Sequence, residues 1–365
     1  MTPNTLLCMA AVVLGAEPAL TAVPGVRVTN VRRVFHNGEH NAFTDLCRFQ
    51  GRYYLTFRSC PDGHGVYPTA SIIVLASGDA ADWEQVHRFR VDKRDTRDPH
   101  FLVFKDKLFV YTGTWYCGDA APKTYEINRH LGYAAFSTDG RQWHGPIMLE
   151  GTYGHYVWRA AVHEGKVYLC GRRKREFVEA PRSERELLES VMLESDDGLI
   201  FRKQALFQET WGDETAFLFD SEGRVVAVAR RGSRAAQLCR SEPPYTDWDR
   251  IELDRYIGGP LLTRWGDRYV VGGRKTLGGG GPKTSLCWLV DDRLHEFAEL
   301  PSGGDNSYPG FVELSPTRAL VSWYSSHERG ESGGTITAIY MAELEMAEAA
   351  DSEKKKRKPA DTRSQ

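Results

Sequence analysis

The sequence contains little that predicts helix, a membrane span or a nucleic-acid-binding surface. Its N-terminal apolar run, residues 6–14, is too short to cross a bilayer. The formal net charge is −2, and basic residues are spread along the chain, so no surface for nucleic acid is indicated. The 7 cysteines lack the paired spacing of zinc sites, and no other group has metal-ligand spacing. We therefore expect no metal, no other cofactor, no nucleic-acid partner and no membrane span.

The two ends of the chain differ in composition from the rest. The apolar run at 6–14 resembles the hydrophobic part of a signal peptide, but no Lys or Arg precedes it and no clean Ala-x-Ala site follows. Secretion or periplasmic export and a cytoplasmic location both remain open. The basic segment 353–359 has no apolar partner, which is typical of a disordered tail. We predict a signal-like or disordered N-terminus (1–25), one folded domain (26–345) and a tail (346–365).

One motif recurs along the chain: a short apolar strand, then Ser-x-Asp and an aromatic residue four positions after the Asp. The Asp side chain can accept backbone N–H groups of a tight turn, and the aromatic ring can pack between neighbouring sheets. The serines of the first three copies are about 60 residues apart. The copies are Ser77-Asp79-Trp83, Ser137-Asp139-Trp143, Ser195-Asp197-Phe201 and a looser one, Ser241 with Trp248, which lacks the Asp.

A second repeat consists of a turn followed by a strand of alternating apolar residues. It occurs six times, at 52–58, 107–112, 166–172, 224–230, 268–274 and 318–324. Six such units of about four strands each predict an all-β fold, a six-bladed β-propeller. The apolar run 26–35 lies outside the units, and we expect it to complete the last blade and close the ring. Only two segments favour helix, 183–190 and 341–350.

The propeller places chemistry at one end of its axis. Strands alternate in direction, so the starts of the first strands and the ends of the second strands lie on one face, which we call the near face. The Ser-x-Asp turns lie on the other face. Four second strands end in arginine, and arginine binds carboxylates through two parallel hydrogen bonds. The near-face arginines include Arg58, Arg97, Arg159, Arg172, Arg230 and Arg274, and the carboxylates include Asp45, Asp98, Glu214 and Asp305.

Each of these residues also has an ordinary structural interpretation. An arginine at a strand end is often a solvated surface charge. Asp45 and Asp98 could cap turns by accepting backbone N–H groups. Tyr308, at the start of the sixth unit, could be a core aromatic beside the axis.

Through these residues, the chain resembles the sialidase (neuraminidase) superfamily over roughly residues 26–345. Its Ser-x-Asp motif resembles the Asp-box, or BNR repeat, of that superfamily. The resemblance implies a sialidase-like propeller in which Tyr308 is the nucleophile and Glu214 assists it as a base. It further implies that Arg230 binds the substrate carboxylate, and it matches Arg58 to the arginine that ends the second strand of the first blade.

The chain departs from the family in the first blade. The family's Arg-Ile-Pro motif is absent, and residues 42–45 read Ala-Phe-Thr-Asp instead. In the family, the general acid lies in a loop of the first blade, and that loop contains Asp62 and His64 here. Arg97 followed by Asp98 could supply the missing arginine and the acid from the second blade. The general acid is therefore Asp98, Asp45 or Asp62. The candidate substrate-binding residues are Arg58, Arg97, Arg159, Arg230, Arg274 and His64.

The resemblance implies a glycoside hydrolase, an exo-sialidase that cleaves a terminal acidic sugar from a glycan or glycoconjugate. Sialidases use a tyrosine because a carboxylate nucleophile would be repelled by the carboxylate of the sugar. This chemistry predicts that Tyr308 and Glu214 lie within hydrogen-bonding distance. Two alternatives remain: a propeller hydrolase or lyase that acts on another acidic sugar, such as a uronate, and a non-catalytic glycan-binding propeller.

Overall fold

The computed structural model describes residues 23–347, except 182, 277–279 and 332. Most of the predicted N-terminal segment and nearly all of the basic tail therefore lie outside the described residues. The described part contains the strands β1 (Val26–Phe35), β2 (His40–Phe49), β3 (Arg52–Cys60), β4 (Ser71–Ser77), β5 (Glu84–Phe89), β6 (Arg94–Phe104), β7 (Lys107–Tyr116), β8 (Leu131–Ser137), β9 (His144–Met148), β10 (Tyr156–His163), β11 (Lys166–Lys174), β12 (Leu188–Ser195), β13 (Arg202–Gln208), β14 (Thr215–Phe219), β15 (Val225–Arg231), β16 (Arg234–Ser241), β17 (Asp249–Glu252), β18 (Gly258–Trp265), β19 (Arg268–Lys275), β20 (Lys283–Val290), β21 (Arg293–Leu300), β22 (Asn306–Ser315), β23 (Arg318–Arg329) and β24 (Thr335–Met346).

These strands form six four-stranded antiparallel sheets. Blades 1 to 5 are β2–β5, β6–β9, β10–β13, β14–β17 and β18–β21, and blade 6 is β22–β24 with β1. The first strand of each blade packs against the first strand of the next, and β22 packs against β2. The six sheets therefore surround one axis, and the predicted six-bladed β-propeller is confirmed.

The ring closes through the N-terminal strand, as the sequence predicts. β1 pairs antiparallel with β24, from Val26 opposite Met346 to Phe35 opposite Ile339. The Phe35 ring also packs on Phe57 of blade 1, with the ring centroids 4.7 Å apart. One strand from the start of the chain thus completes the last blade and joins it to the first.

The Ser-x-Asp turns connect the third and fourth strands of blades 1 to 3, on the face opposite the near face. In the second copy, Asp139 Oδ1 accepts the backbone N–H groups of Arg141 and Gln142, each at 2.8 Å. The buried Ser137 hydroxyl donates to the same oxygen at 3.0 Å. Ser77 and Asp79, and Ser195 and Asp197, repeat these contacts. These aspartates hold turns together and lie away from the axial pocket.

Helix is confined to three 3₁₀ turns in the described residues, Ile127–Arg129, Arg175–Phe177 and Arg185–Leu187. The segment 183–190 forms only the last of these before β12 begins. The helix predicted for 341–350 is wrong where the structure describes it, because residues to Met346 belong to β24, which pairs with both β1 and β23. Pairing on both sides outweighs the local helix preference. No helix within 23–347, apart from the undescribed positions, has the length and apolar character needed to span a membrane.

Candidate active site

A pocket of about 250 Å³ opens at the near end of the propeller axis. Most of its lining comes from the starts of first strands and the ends of second strands, as the strand directions predict, and the rest comes from loops between second and third strands, such as the loop that carries His64. All six blades contribute to it, for example with Phe43, Asp98, Tyr156, Glu214, Arg274 and Tyr308 in blade order. This volume lies below the range typical of drug-sized ligand sites, so the pocket suits a small ligand or one end of a longer one.

Bulges in the first strands aim several of these side chains into the pocket. The pairing register shifts near the start of the first strand in blades 1, 2, 3, 5 and 6. At these bulges Phe43, Asp98, Gly259 and Tyr308 have positive φ angles of 64°, 54°, 61° and 52°. An extra residue in a strand redirects the neighbouring side chains. Positive φ costs a non-glycine residue about 1–3 kcal/mol and is concentrated at functional sites.

Tyr308 and Glu214 form the central pair of the pocket. The Tyr308 hydroxyl donates to Glu214 Oε1 at 2.6 Å, which confirms the predicted contact. Glu214 Oε2 accepts from Arg230 Nη1 at 2.9 Å and from the backbone N–H of Gly259 at 3.1 Å. Both carboxylate oxygens are therefore fixed by donors, and one of these donors is the phenol.

The surroundings keep the tyrosine neutral and the glutamate ionised. Burial, followed by the nearby Glu214 and Asp98 charges, raises the pKa of Tyr308 well above its usual value. Burial alone would raise the pKa of Glu214, but Arg230 and the Tyr308 hydrogen bond outweigh it, so the pKa of Glu214 is lowered. The pair thus consists of a phenol donor and a carboxylate that can accept its proton.

Asp98 and Tyr156 form a second tyrosine–carboxylate pair in the pocket lining. The Tyr156 hydroxyl donates a short hydrogen bond to Asp98 Oδ2. The other oxygen, Asp98 Oδ1, is buried and has no hydrogen-bond partner among the described residues. Burial and the charge of Glu214 raise the pKa of Asp98 to about 6, although Arg97 and the Tyr156 hydrogen bond act to lower it. Asp98 can therefore carry a proton near neutral pH.

Arginines line the pocket beside these pairs. Arg230 is held by Glu214 and also donates to the Gly232 carbonyl oxygen at 3.1 Å. Among the described residues, Arg274 makes only long contacts, at 3.3–3.5 Å, with neighbours that include Asp305. Arg172 donates to Asp213 Oδ1 at 2.5 Å, and its Nε is buried without a hydrogen-bond partner in the described part. Donor groups thus remain on Arg274 and Arg172 for an anionic ligand.

Arg97 also lines the pocket. It donates to the His64 carbonyl oxygen at 2.7 Å, and its guanidinium lies over the Phe43 ring, 5.2 Å from the centroid. Phe43 belongs to residues 42–45 of the first blade, which read Ala-Phe-Thr-Asp. A cation from blade 2 therefore stands against the aromatic ring in that position.

Asp45 and Arg159 lie among the packed first strands and do not line the pocket. Arg159 donates to Asp45 Oδ1 at 2.8 Å and to the Pro309 carbonyl oxygen at 2.8 Å. Asp45 Oδ2 also accepts the Phe101 N–H at 2.9 Å. The structure thus places these two predicted site residues in a buried ion pair that ties blades 1, 2, 3 and 6 together.

Arg58 and Asp62 also lie outside the pocket lining. Arg58 is fully buried and binds both oxygens of Asp95, at 3.0 and 2.8 Å. It also donates to the carbonyl oxygens of Gly63 and Gly65, so it shapes the loop that carries His64. Asp62 is exposed and accepts a hydrogen bond from Thr69. The structure does not bring Asp62 to the pair formed by Tyr308 and Glu214.

His64 reaches the pocket rim together with two residues that have metal-binding side chains. His64 Nδ1 lies 2.7 Å from Asp305 Oδ2, and His40 Nε2 lies 3.0 Å from the same oxygen. The three ligand atoms lie within 4.8 Å of one another. They come from β2, the β3–β4 loop and the segment before β22, so spacing in the sequence could not reveal the group.

Tyr156, Arg172 and Tyr324 are lining residues that we did not select from the sequence. Tyr156 begins β10, Arg172 lies near the end of β11, and Tyr324 lies in β23 opposite Ser307, near the start of β22. Arg172 is one of the near-face arginines that the strand directions predict, and Tyr156 and Tyr324 lie on the same face. The information missing from the sequence was that Tyr156 binds Asp98 and that Tyr324 donates to Asp305 Oδ1 at 2.8 Å.

No protein-family model matches the sequence, and a comparison with curated proteins finds no match. Solved structures share the fold. A protein of unknown function from Dyadobacter fermentans superposes with a TM-score of 0.72 at 20% identity, covering 89% of this chain and 100% of its own. Phage phi92 endosialidase gives 0.62 at 10% identity, over 92% and 71%. Trypanosoma rangeli sialidase in complex with sialic acid gives 0.61 at 10% identity, over 88% of this chain and 59% of that one. The TM-scores show that these proteins share the fold of this chain.

Proposed function

We propose that this protein is a glycoside hydrolase that removes a terminal acidic sugar, of the sialic acid kind, through a tyrosine nucleophile. The observation that carries the proposal is the 2.6 Å hydrogen bond from Tyr308 to an ionised Glu214 within a pocket that also holds arginines. The likeness of fold to sialidases supports it. The reaction requires a phenol nucleophile, a carboxylate that accepts its proton, and arginine N–H groups that are free to bind an acidic sugar. The pocket contains groups of each kind.

In the first half of the reaction, Tyr308 Oη attacks the anomeric carbon and transfers its proton to Glu214. The bond from that carbon to the leaving-group oxygen breaks, and Asp98 donates a proton to this oxygen. Of the three acids considered from the sequence, only Asp98 lies in the pocket with a raised pKa, about 6. The sugar is then joined covalently to Tyr308.

In the second half, Asp98 is a carboxylate and takes a proton from an incoming water as the water attacks the anomeric carbon. The bond to Tyr308 breaks, and Glu214 returns the proton to the phenolate. Each group ends in its starting protonation state. The configuration of the sugar is retained because two displacements occur at one carbon.

The carboxylate of the sugar would be bound by Arg230 and Arg274, which lie on neighbouring blades. Arg97 would provide the third cation, because it lines the pocket and lies over Phe43. This arrangement replaces an arginine of blade 1 with one of blade 2. The replacement is also the observation that favours the second candidate, an enzyme for a different acidic sugar such as a uronate.

The test is an assay of the purified protein on a fluorogenic α-sialoside, beside Tyr308→Phe, Glu214→Gln and Tyr269→Phe. Tyr269 is the matched control, since its hydroxyl binds Arg264 away from the pocket. We expect Glu214→Gln to lower kcat by about 10²–10⁴-fold, Tyr308→Phe to lower it at least as far, and Tyr269→Phe to leave it unchanged.

If folded wild-type protein does not turn over α-sialosides, the sialidase assignment is wrong. Cleavage of a uronate-terminated substrate that depends on Tyr308 would then establish the second candidate. Saturable binding of acidic glycans without turnover of either substrate would identify a glycan-binding propeller.

A further inference from the structure

We propose that His40, His64 and Asp305 form a binding site for a divalent transition-metal ion, with Zn²⁺ as the best match, at the rim of the axial pocket. One oxygen of Asp305 faces both imidazoles, at 3.0 Å from His40 Nε2 and 2.7 Å from His64 Nδ1. The two rings meet edge to face, with centroids 5.3 Å apart. Three donor atoms from three segments thus converge on one small volume.

The donor set favours zinc over the hard cations. Two imidazole nitrogens and one carboxylate oxygen are the ligands of many zinc sites, whereas calcium and magnesium prefer oxygen ligands alone. Three protein ligands leave at least one coordination position free, as in zinc sites that bind a water or a substrate atom. The same ligand set is also used by non-haem iron, so the ion class is a borderline divalent metal.

The surrounding structure holds the ligands in place. The second oxygen of Asp305 accepts the Tyr324 hydroxyl at 2.8 Å and lies 3.5 Å from Arg274 Nη1. The loop that carries His64 is anchored by Arg58, which is fully buried, and by Arg97, which donates to the His64 carbonyl oxygen. Partners of this kind orient metal ligands and tune their affinity.

The same three side chains can also be explained as a hydrogen-bonded group in which both imidazoles donate to Asp305. Zinc at about 2.0–2.1 Å from each ligand requires ligand atoms roughly 3.3 Å apart, so the observed separations of 2.7 and 3.0 Å must widen slightly. His64 can supply that movement because its side chain is 56% exposed and lies on a loop. The two explanations differ in whether an ion binds.

The position of the group suggests what a bound ion would meet. All three side chains line a groove that adjoins the pocket, and His64 lines the pocket as well. A free coordination position would therefore face a water or an oxygen atom of a ligand in that groove. The site lies beside the pair formed by Tyr308 and Glu214, and none of its ligands belongs to that pair.

The experiment is a Zn²⁺ titration of the full-length, tag-free protein by calorimetry after chelator treatment, without any glycan. We expect one Zn²⁺ per chain. His40→Ala, His64→Ala and Asp305→Asn should each weaken binding by more than the roughly 10–100-fold that loss of an outer partner costs. His327→Ala is the matched control, because His327 lines the same groove and binds Ser325 instead. It should leave Zn²⁺ affinity unchanged.

Absence of stoichiometric Zn²⁺ uptake, or equal uptake by wild type and the His40→Ala/His64→Ala variant, would overturn the proposal and leave a hydrogen-bonded group. Circular dichroism checks that each variant folds, and the exposed His64 makes its variant the safest test. Zn²⁺ should also raise the thermal midpoint of wild type but not of His64→Ala, because an ion that binds only the folded state stabilises it. Neither readout depends on glycosidase activity, so this proposal can fail separately from the function proposed above.

Discussion

Two carboxyl groups in the pocket have pKa values that their neighbours shift in opposite directions. Glu214 faces Arg230 and the Tyr308 hydroxyl, and these donors keep it ionised despite its burial. Asp98 has one oxygen bound by Tyr156 and one with no partner in the described residues, and burial beside Glu214 raises its pKa to about 6. Environments that separate two pKa values in this way distinguish a base from an acid.

The first residue-scale prediction concerns the pH dependence of turnover. Asp98 must be protonated to act as the acid, so kcat/KM should fall as pH rises through about 6. Glu214 has a lowered pKa, so its ionised form persists on the acidic side of this transition. A pH profile of kcat/KM on an α-sialoside with a poor leaving group measures the effect. Asp98→Asn should lower kcat by about 10²–10⁴-fold and abolish the transition near pH 6. A transition that survives in Asp98→Asn would contradict the assignment.

Tyr156 is a positioning residue, and its removal should move the same transition. Its hydrogen bond stabilises the ionised form of Asp98, so it lowers the pKa of that carboxyl group. Tyr156→Phe should therefore shift the falling limb of kcat/KM to higher pH. Tyr324→Phe is the control, since it also removes a pocket hydroxyl, but one that binds Asp305 and not Asp98. It should leave the falling limb at its wild-type pH. An unchanged limb in Tyr156→Phe would show that the hydroxyl has only a packing role.

At the scale of elements, the bulges in the first strands explain both the success and the limit of prediction from sequence. The repeats predict the six blades and the near face, and the resemblance to sialidases assigns roles on that face to Tyr308, Glu214 and Arg230. The choice between Asp45 and Asp98 could not be made, because side chains alternate across a strand and one inserted residue reverses that alternation. Asp98 lies at the bulge of β6, whereas Asp45 lies after the bulge of β2 and pairs with the buried Arg159.

The Ser-x-Asp turns also join neighbouring blades, which gives a prediction about stability. Gly140 has φ +69°, and a Cβ there would lie 1.8 Å from the hydroxyl of Tyr54 in the preceding blade. Gly51 has φ +80°, and no atom of the described residues beyond its chain neighbours lies within 4 Å of its Cβ position. Both Gly→Ala changes impose backbone strain, but only Gly140→Ala adds a clash with the neighbouring blade. We expect Gly140→Ala to lower the free energy of unfolding by about 1–3 kcal/mol more than Gly51→Ala, measured by denaturant titration. Equal losses would mean that this contact between blades relaxes without cost.

For the molecule as a whole, the site depends on a closed ring. The pocket takes side chains from every blade, and the ion pair of Asp45 with Arg159 links blades 1 and 3 beneath it. Blade 6 supplies Tyr308 and is completed by β1, its outermost strand, which pairs with β24 and leads directly into β2 of blade 1. Opening the ring should therefore affect both stability and the position of Tyr308 relative to Glu214.

Deletion of the chain up to residue 35 tests this dependence. It removes β1, exposes the edge of β24 and takes away the Phe35 contact with Phe57. An unpaired edge is a template for association with other chains, so size-exclusion chromatography should show oligomers. The thermal midpoint should fall by at least several degrees, since 1 kcal/mol corresponds to roughly 2–4 °C in domains of 150–250 residues.

Arg27→Ala is the control on the same strand, because it removes only an exposed ion pair with Glu345 and should change neither measurement. If the truncated protein stays monomeric with an unchanged midpoint, the five complete blades and the remaining three strands hold the ring without β1, and closure is not what stabilises the site.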